Sequence, residues 1–464
     1  MITNKNWVIY LIKNNFSREE VLTHLKQKNI DFIFAQYVDI YGVTKAKLVP
    51  ISHFEDLCDT GAGFAGFATY GLGVGPDFPD LHAIPDLQTL TILPWRKNVV
   101  RFACDIMIEE KGKFIPSPFC ARSILKRVIK KVADQGLIFK VGMEPEFFLV
   151  KQTEKGIEVA DTKDKLSKPC YDMQGLTRAL DFLEIIINNI NELGWDVEAA
   201  DHEDANSQYE VNMKFDNVLN TADKYTFIKY MLSVLAEEQD MMACFMPKPF
   251  QSHTGNAAHT HMSLWNKKTG ENIFLDMNDK NGMGMSQSAY NFIGGLLNNA
   301  KAYIAFTAPT VNSYKRLIQT NTVSGAAWSP IFITYGGNNR TQMLRIPGPG
   351  RIEDRTVDSS CNPYLALASI LASGMDGMNK KLDPGPHNDQ NMYLLTEDDL
   401  KTSKVELLPS TLQEAIQELS SNKLLQETFG QEFYDYYIKF KLNEWTEYHN
   451  SVSPWEIDKY LPLP

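Results

Sequence analysis

The segment VGMEPEFFLV, from Val141 to Val150, sets two glutamates one residue apart in a run of apolar and aromatic residues. Residues two apart in a β-strand project from the same face, so a strand here places Glu144 and Glu146 side by side. Two like charges that close repel each other unless a cation lies between them. A solvated face of an edge strand explains the pair equally well when the segment is taken alone.

Two later segments add acidic and imidazole side chains. HEDANSQYEV contributes Glu203 and Glu210, and AAHTHMSLW contributes His259 and His261, two apart on a predicted strand. Singly, these are consistent with an exposed acidic turn and a core histidine. Together, many carboxylates with few imidazoles are typical of sites for hard divalent cations, so we expect Mg²⁺ or Mn²⁺ rather than Zn²⁺.

Arginines follow these groups later in the sequence, between residues 340 and 355. NNRTQMLRIP supplies Arg340 and Arg345, and RIEDR places Arg351, Glu353 and Arg355 at alternate positions on one strand face. A salt-bridged surface strand is the simple alternative. Arginine also grips phosphate or carboxylate as a planar fork, and divalent cations with arginines neutralise charge during phosphoryl transfer. Because no P-loop or kinase motif occurs, the expected nucleotide site is of another kind.

Composition limits the class of protein. The 464 residues, 44% of them hydrophobic, suggest about two domains. A net charge of −11 argues against binding to nucleic acid or an anionic membrane, because both require basic patches. Six scattered cysteines without a CxxC pair predict a reducing, cytoplasmic location. The apolar run WVIYLI (7–12) is shorter than the core of a signal peptide, and no run of about 18 apolar residues predicts a membrane span.

The order of patterns predicts an α+β protein with domains over residues 1–110 and 111–464. A capping box at Ser17 predicts a helix, and FIFAQYVDIYGVTKAKLV predicts two strands around Gly42. A proline-marked connection at about 110–118 separates this unit from the rest. Amphipathic helices then alternate with short strands; the helical segments are ARSILKRVIKKVADQG, TRALDFLEIIINNINELG and TADKYTFIKYMLSVLAEEQ.

GAGFAG, residues 61–66, matches the dinucleotide-binding motif GxGxxG. That motif requires a strand before it and a helix after it, whereas here a helical segment comes first and TYGLGVGPD follows. We therefore reject a Rossmann site and expect a flexible loop.

Seven motifs occur in the order seen in the glutamine synthetase family, and the resemblance spans about residues 30–395. It implies a small N-terminal β-grasp domain and a large catalytic domain with a curved antiparallel sheet and helices. It also implies a homo-oligomer, usually two stacked hexameric rings with active sites between subunits. The motifs are GMEPEFF, VEAADHEDANSQYEV, FMPKPF, HTHMSLW, SYKRL, NNRTQMLRIP and RIEDR with NPYLALASILASGMDG.

The resemblance also implies roles for individual residues. Two metal sites fall on six side chains: Glu146, Glu203 and Glu210 for one, and Glu144, His259 and Glu353 for the other. The family's glutamate-binding groups match Arg316, Arg355 and the backbone of Gly255. The family's ATP-binding residues match Glu198, Phe215, His261, Ser263, Arg345 and Arg351. Arg340 matches the arginine that stabilises the transferred phosphate. Asp39, lent by a neighbouring subunit, and Tyr171 fall at the amine.

The implied reaction has two steps. The γ-carboxylate of glutamate attacks the γ-phosphate of ATP to give an acyl phosphate, and an amine then displaces phosphate to form an amide. A primary alkylammonium resembles lysine, with a pKa of roughly 10.4, so forming the free base at pH 7 costs ~5 kcal/mol. A carboxylate must therefore accept the proton, and we expect Asp39, helped by Glu203, to do so.

Two departures from the family pattern concern the amine, and a third, between Arg345 and Arg351, removes a lysine of the nucleotide region. Trp328, in SGAAWSP, stands where ordinary members have a mobile glutamate; Ala65 replaces an aspartate, and the passage IPGPG is shortened. Indole attracts an ammonium ion and also accepts a methyl group. The pattern resembles the γ-glutamylmethylamide synthetases of this family, so methylamine is the expected acceptor.

Other functions remain open on the sequence. They are an ordinary glutamine synthetase that uses ammonia, in which Trp328 only packs the flap; a γ-glutamylpolyamine ligase; and a non-catalytic nitrogen-sensing relative. Retention of all six metal-ligand candidates argues against the last of these. Tyr393 lies near a tyrosine that some members adenylylate, but its flanks differ, so we expect an unmodified tyrosine in an exposed loop.

Overall fold

The computed structural model describes residues 16–154, 156–318, 322–395 and 405–463. The apolar segment at 7–12 lies outside the described residues. Within the described ranges, no helix is long and apolar enough to span a membrane.

From residue 16 onward, the N-terminal part forms a seven-stranded sheet with two α-helices. Its strand order is β2-β1-β6-β4-β3, and β5 and β7 also pair with β6. β1 and β6 run parallel, whereas the other pairs are antiparallel. The elements are α1 (Arg18–Gln27), β1 (Phe32–Val38), β2 (Thr44–Pro50), α2 (Phe54–Thr60), β3 (Ala62–Phe64), β4 (Leu81–Pro85), β5 (Thr91–Ile92), β6 (Val99–Glu110) and β7 (Lys113–Pro116).

Local sequence signals explain the first elements. Helix α1 begins at the predicted capping box, in which the Ser17 hydroxyl accepts the Glu20 N–H and the Glu20 carboxylate accepts the Ser17 N–H. β1 and β2 form the predicted pair around Gly42, which has a φ of +77°. A Cβ at Gly42 would lie 2.9 Å from the Cα of Asn362, so only glycine fits where this turn packs against the larger part.

Two expectations for this region are wrong. Residues 62–64 of the GAGFAG segment form strand β3, paired with β4, instead of a loop. The connection expected at 110–118 contains β7, which pairs with β6. The domain boundary itself stays a prediction.

The larger part is built on a ten-stranded sheet. Its order is β10-β11-β8-β14-β17-β16-β15, with β9, β12 and β13 also paired to β8. All pairs are antiparallel except β15 with β16. The strands are β8 (Leu137–Thr153), β9 (Gly156–Val159), β10 (Val197–His202), β11 (Gln208–Met213), β12 (Asp216–Asn217), β13 (Met242–Cys244), β14 (Ala258–Asn266), β15 (Tyr335–Gly336), β16 (Leu344–Gly348) and β17 (Arg351–Asp354).

Helices cover this sheet, and the α+β class is confirmed. The three helices predicted from amphipathic patterns form as α3, α4 and α5. The helices are α3 (Ala121–Ala133), α4 (Met173–Glu192), α5 (Val218–Glu237), α6 (Gln287–Thr307), α7 (Ser313–Arg316), α8 (Pro363–Lys380), α9 (Leu412–Ser420), α10 (Lys423–Phe429), α11 (Gln431–Asn450) and α12 (Pro454–Tyr460).

A buried ion cluster joins the two parts. The guanidinium of Arg122, on α3, donates to Asp86 and Asp105 of the smaller part and to Asp223 of α5, at 2.9–3.1 Å. Burial alone would raise the pKa of the Asp223 carboxyl, but the charge of Arg122 outweighs burial and holds it below its usual value. The cluster therefore fixes α3 and α5 against the small sheet.

Candidate active site

The registers of four neighbouring strands align the predicted metal ligands across the larger sheet. Glu210 on β11 pairs with Glu146 on β8. Glu144, two residues earlier on β8, pairs with His259 on β14. The row continues where His261 on β14 pairs with Glu353 on β17. The alternation noticed in the sequence thus becomes one continuous row of acidic and imidazole groups.

The donor atoms of this row are close enough to share cations. One ligand atom each from Glu144, His259 and Glu353 lie within 4.8 Å of one another. The same holds for Glu146, Glu210 and His259. The first set equals the trio predicted for one ion. The second contains two of the three predicted for the other ion, and Glu203 lines the same cavity.

Burial and mutual repulsion raise the pKa values of three of these carboxyls, those of Glu146, Glu203 and Glu210, when no cation is bound. Burial, followed by the Glu146 charge, raises the pKa of Glu203 to about 8. Burial raises the pKa of Glu146 to about 7, against the opposing hydrogen bond from the Ala257 N–H. Burial and the charge of Glu144 raise the pKa of Glu210 well above its usual value. Paired cations would remove this cost.

Two groups in the row are already in the state that a metal requires. Burial, with the nearby charge of Arg355, holds the pKa of His259 well below its usual value, so the ring is neutral at pH 7. His259 Nε2 is buried and has no hydrogen-bond partner among the described residues. Glu353 is ionised, because Arg355 and other cations outweigh burial and hold its pKa well below the usual range. A buried, unpartnered imidazole nitrogen among carboxylates fits a hard divalent cation.

A cavity of about 500 Å³ opens over the row and is lined by all five predicted arginines. Arg345 donates to Glu353 at 2.7 Å, and Arg355 donates to the other oxygen of the same carboxylate. Arg340 and Arg351 are exposed at the rim, whereas Arg316 is buried. The cavity therefore has an acidic floor and a cationic wall, which suits a ligand carrying several phosphate and carboxylate groups.

Gly255 lies in the cavity wall at a point where no side chain fits. A Cβ there would lie 2.2 Å from the carbonyl oxygen of Pro247 and 3.0 Å from Cγ of Arg316. Its own carbonyl accepts a hydrogen bond from Gln208 at 3.0 Å. Glycine is thus required here by close packing against Pro247 and Arg316, and this packing fixes the backbone in the cavity wall.

Trp328 and Tyr171 also line the cavity, and both have positive φ angles, +54° and +62°. Tyr171 is 65% exposed and anchored by its backbone N–H, which donates to the carbonyl of His202 at 2.9 Å. Positive φ in a bulky residue is strained and persists only where neighbouring contacts enforce it. Trp328, which stands where ordinary family members have a flap glutamate, therefore contributes an indole to the cavity wall.

Four predicted site residues do not line this cavity. Asp39 is 1% exposed, and its Oδ1 accepts the backbone N–H groups of Tyr41 and Val43, both at 3.0 Å. Phe215 stacks on Trp265, and Ser263 accepts the Trp265 indole N–H at 2.8 Å. Glu198 is exposed on β10. Within one chain, Asp39 acts as the anchor of the β1–β2 turn.

Several cavity residues were not anticipated from the sequence. Asp204 accepts the indole N–H of Trp328. Gln208 is buried behind the cavity wall and donates to the Gly255 carbonyl and to the Asn256 side chain. Asp201 and Asn212 also line the cavity. Asp204 directly follows the candidate ligand Glu203 in HEDAN, which was the available signal. Its contact with the distant Trp328 was not visible in the sequence.

Tyr393 differs from its expected placement. It is half-buried in a short 3₁₀-helix, and its hydroxyl donates to the carbonyl of Ser329 at 3.4 Å. The expectation of an exposed loop is therefore wrong. Ala65, by contrast, is exposed in the small part and does not line the cavity.

Two family profiles match the chain. The glutamine synthetase catalytic domain matches residues 118–460, and the glutamine synthetase β-grasp domain matches residues 29–109. The chain belongs to the glutamine synthetase family. Membership of this family makes the chain an enzyme, an ATP-dependent ligase that forms γ-glutamyl amides.

Individual relatives of this ligase cover nearly its whole length. A glutamate–methylamine ligase of Methyloversatilis universalis is 42% identical over 446 residues, covering 96% of this chain and 99% of the relative. A glutamine synthetase of Rhizobium meliloti is 41% identical over 437 residues, covering 94% and 98%. A solved structure described as "GmaS/ADP complex-Conformation 1" superposes with a TM-score of 0.88 at 40% identity, covering 95% of this chain and 99% of that one.

The raised carboxyl pKa values predict how pH affects the metal-free ligase. Folding raises the pKa of Glu146 to about 7 and of Glu203 to about 8, from an ordinary 4.5. This contribution to stability is fully present below the ordinary value and is lost as pH rises through about 8. With a chelator, we predict a melting temperature several degrees lower at about pH 9 than at about pH 6, with Mg²⁺ or Mn²⁺ stabilising most at the higher pH.

Differential scanning fluorimetry across this pH range, with and without each metal, measures the effect. Glu210→Gln removes one buried charge from the row and is expected to flatten the pH dependence of the chelated protein. A melting temperature that changes with neither pH nor added metal would contradict this description of the row.

Proposed function

We propose that this ligase joins the γ-carboxylate of L-glutamate to a small primary amine, with methylamine as the favoured acceptor. The observation that carries the preference is the indole of Trp328 in the cavity wall, close to acidic side chains. Indole offers cation–π attraction to an ammonium group and apolar contact to a methyl group. Similarity to a glutamate–methylamine ligase supports the same acceptor.

We propose Mg²⁺ or Mn²⁺ at two or more positions along the row. Glu146, Glu203 and Glu210 would hold one ion, and Glu144, His259 and Glu353 another. Bound there, such ions neutralise phosphate charge during transfer. The row's contribution is its fixed geometry, because each donor is held in a strand or in a turn next to one.

The remaining polar groups divide by charge. Arg316, Arg355 and the backbone of Gly255 are proposed to bind glutamate, and the exposed Arg340 to stabilise the transferred phosphate. The nucleotide side is proposed to use Glu198, Phe215, His261, Ser263, Arg345 and Arg351. The order of events is phosphorylation of the γ-carboxylate followed by attack of the neutral amine on the acyl phosphate.

Deprotonation of the amine needs a carboxylate near Trp328. Glu203 lines the cavity, and burial raises the pKa of its metal-free carboxyl to about 8; a bound cation would keep this carboxylate ionised at neutral pH and so able to accept a proton. Asp39 is proposed to enter from a neighbouring subunit of a homo-oligomer, two stacked hexameric rings in the cytoplasm. Because its Oδ1 anchors a turn, the oxygen left for this role is Oδ2, which accepts no hydrogen bond among the described residues and lies 3.6 Å from the Lys45 ammonium.

The main competing function is an ordinary glutamine synthetase that uses ammonia. The Rhizobium meliloti relative, nearly as similar as the methylamine ligase, favours it. A γ-glutamylpolyamine ligase would also use this row and these arginines. The three functions differ only in the amine, so a direct comparison of amines distinguishes them.

An amine panel tests the proposal. Phosphate release from ATP and glutamate is measured with ammonia, methylamine, ethylamine and putrescine, and the amide product is confirmed by mass. We predict the highest kcat/KM for methylamine, by roughly 10-fold or more over ammonia, because one methyl group in an apolar pocket contributes about 1–3 kcal/mol. If kcat/KM were highest for ammonia or putrescine, the proposal of methylamine as the favoured acceptor would be wrong, and that amine would take its place. Phosphate release without any amide would refute ligation.

Asp39→Asn tests the proposed proton acceptor. Asparagine keeps a carbonyl oxygen for the N–H groups of Tyr41 and Val43, so the turn survives while the charge is lost. We predict at least a 100-fold loss of amide formation with little loss of acyl-phosphate formation. Acyl-phosphate formation is measured as isotope exchange within ATP in the absence of amine. Asp39→Ala, which also removes the turn anchor, is the comparison. Equal losses in both half-reactions for Asp39→Asn would assign Asp39 to the fold.

A further inference from the structure

The carboxylate of Asp204 is the hub of a hydrogen-bond cluster in the wall of the cavity. Its Oδ2 accepts the indole N–H of Trp328 at 2.7 Å and the hydroxyl of Thr254 at 3.0 Å. The hydroxyl of Ser324 donates to the same oxygen. Asp204, Thr254 and Ser324 are all buried, so these bonds are shielded from water.

Two of the three donors come from the segment that carries the aromatic replacement. Ser324 and Trp328 belong to the SGAAWSP segment, whereas Asp204 follows Glu203 in the turn between β10 and β11. The Asp204 backbone N–H donates to Glu203 Oε2 at 3.1 Å. One residue therefore connects the acidic row with the aromatic wall.

Trp328 needs such an anchor because its backbone is strained. Its φ is +54°, and its side chain is 37% exposed, so packing alone does not fix it. Two hydrogen bonds hold it: the indole bond to Asp204, and one from the Arg355 guanidinium to its carbonyl oxygen at 3.2 Å. Loss of the first leaves the indole free to leave the cavity wall.

We propose that Asp204 is a positioning residue that sets amine selectivity by fixing the indole of Trp328 at the amine side of the cavity. This inference rests on the proposed amide-forming function and extends it to a residue that makes no assigned contact with substrate. Asp204 acts through the hydrogen bond that it accepts, and its negative charge is not required.

Paired substitutions separate the acceptor from the charge. Asp204→Ala removes the acceptor, and we predict at least a fivefold fall in the methylamine-to-ammonia ratio of kcat/KM. Asp204→Asn keeps a carbonyl oxygen for the indole N–H, and we predict a ratio within twofold of the wild-type value. In both variants, the KM for glutamate is expected to stay within about threefold, because Arg316 and Arg355 are untouched.

Trp328→Phe provides an independent test if Asp204→Ala does not fold. It keeps an aromatic ring but removes the N–H, so the ratio is expected to fall as in Asp204→Ala. Where Asp204→Ala folds, adding it to Trp328→Phe is expected to lower the ratio no further, because the two residues act through one bond. Thr254→Val is the matched control: it removes another hydrogen bond to the same oxygen and is expected to keep the ratio.

The outcomes distinguish this inference from the proposed function. An unchanged ratio in Asp204→Ala or in Trp328→Phe overturns the positioning role. Equal losses in Asp204→Asn and Asp204→Ala overturn it as well, because they show that the charge binds the ammonium ion directly. If the wild-type protein forms no γ-glutamyl amide from any amine, the proposed function fails instead. If the wild-type protein prefers ammonia, only the choice of methylamine fails, and the shift of the ratio still tests Asp204.

Discussion

Electrostatic repulsion within a fixed row of carboxylates is the constraint on which this active site depends. The strand registers pair Glu210 with Glu146 and place Glu144 opposite His259, so the charges cannot separate without breaking the sheet. Protonation relieves the repulsion at low pH, and cations relieve it at neutral pH. The fixed carboxylates therefore favour the binding of cations, and the arginines that line the same cavity favour the binding of anions.

The same geometry explains how the family chemistry can change its acceptor without changing its core. The row, Gly255 and Arg316 are embedded in the sheet or packed against it, whereas Trp328 lies on a segment held by hydrogen bonds to Asp204 and Arg355. Replacing a charged flap residue with indole alters one wall of the cavity and leaves the phosphoryl-transfer side intact. In the proposed function, selectivity for the amine depends on few residues, and the proposed role of Asp204 is to fix the position of Trp328 among them.

Sequence periodicity could predict the residues that the structure brings together, but not every contact between them. Residues two apart on a strand share a face, which is why Glu144 with Glu146, and His259 with His261, pointed to the site. No spacing encodes the bond between Asp204 and Trp328, which are 124 residues apart. Strand β3 was missed because short glycine-rich strands depend on their partners, and Tyr393 because local composition does not report tertiary packing.

Crystals grown with Mn²⁺ and a non-hydrolysable ATP analogue test the central claim most directly, because the anomalous signal of manganese locates each ion. The account predicts one peak among Glu144, His259 and Glu353 and another among Glu146, Glu203 and Glu210, with the nucleotide phosphates beside the first. Manganese bound elsewhere, or an empty row beside a bound nucleotide, would contradict it.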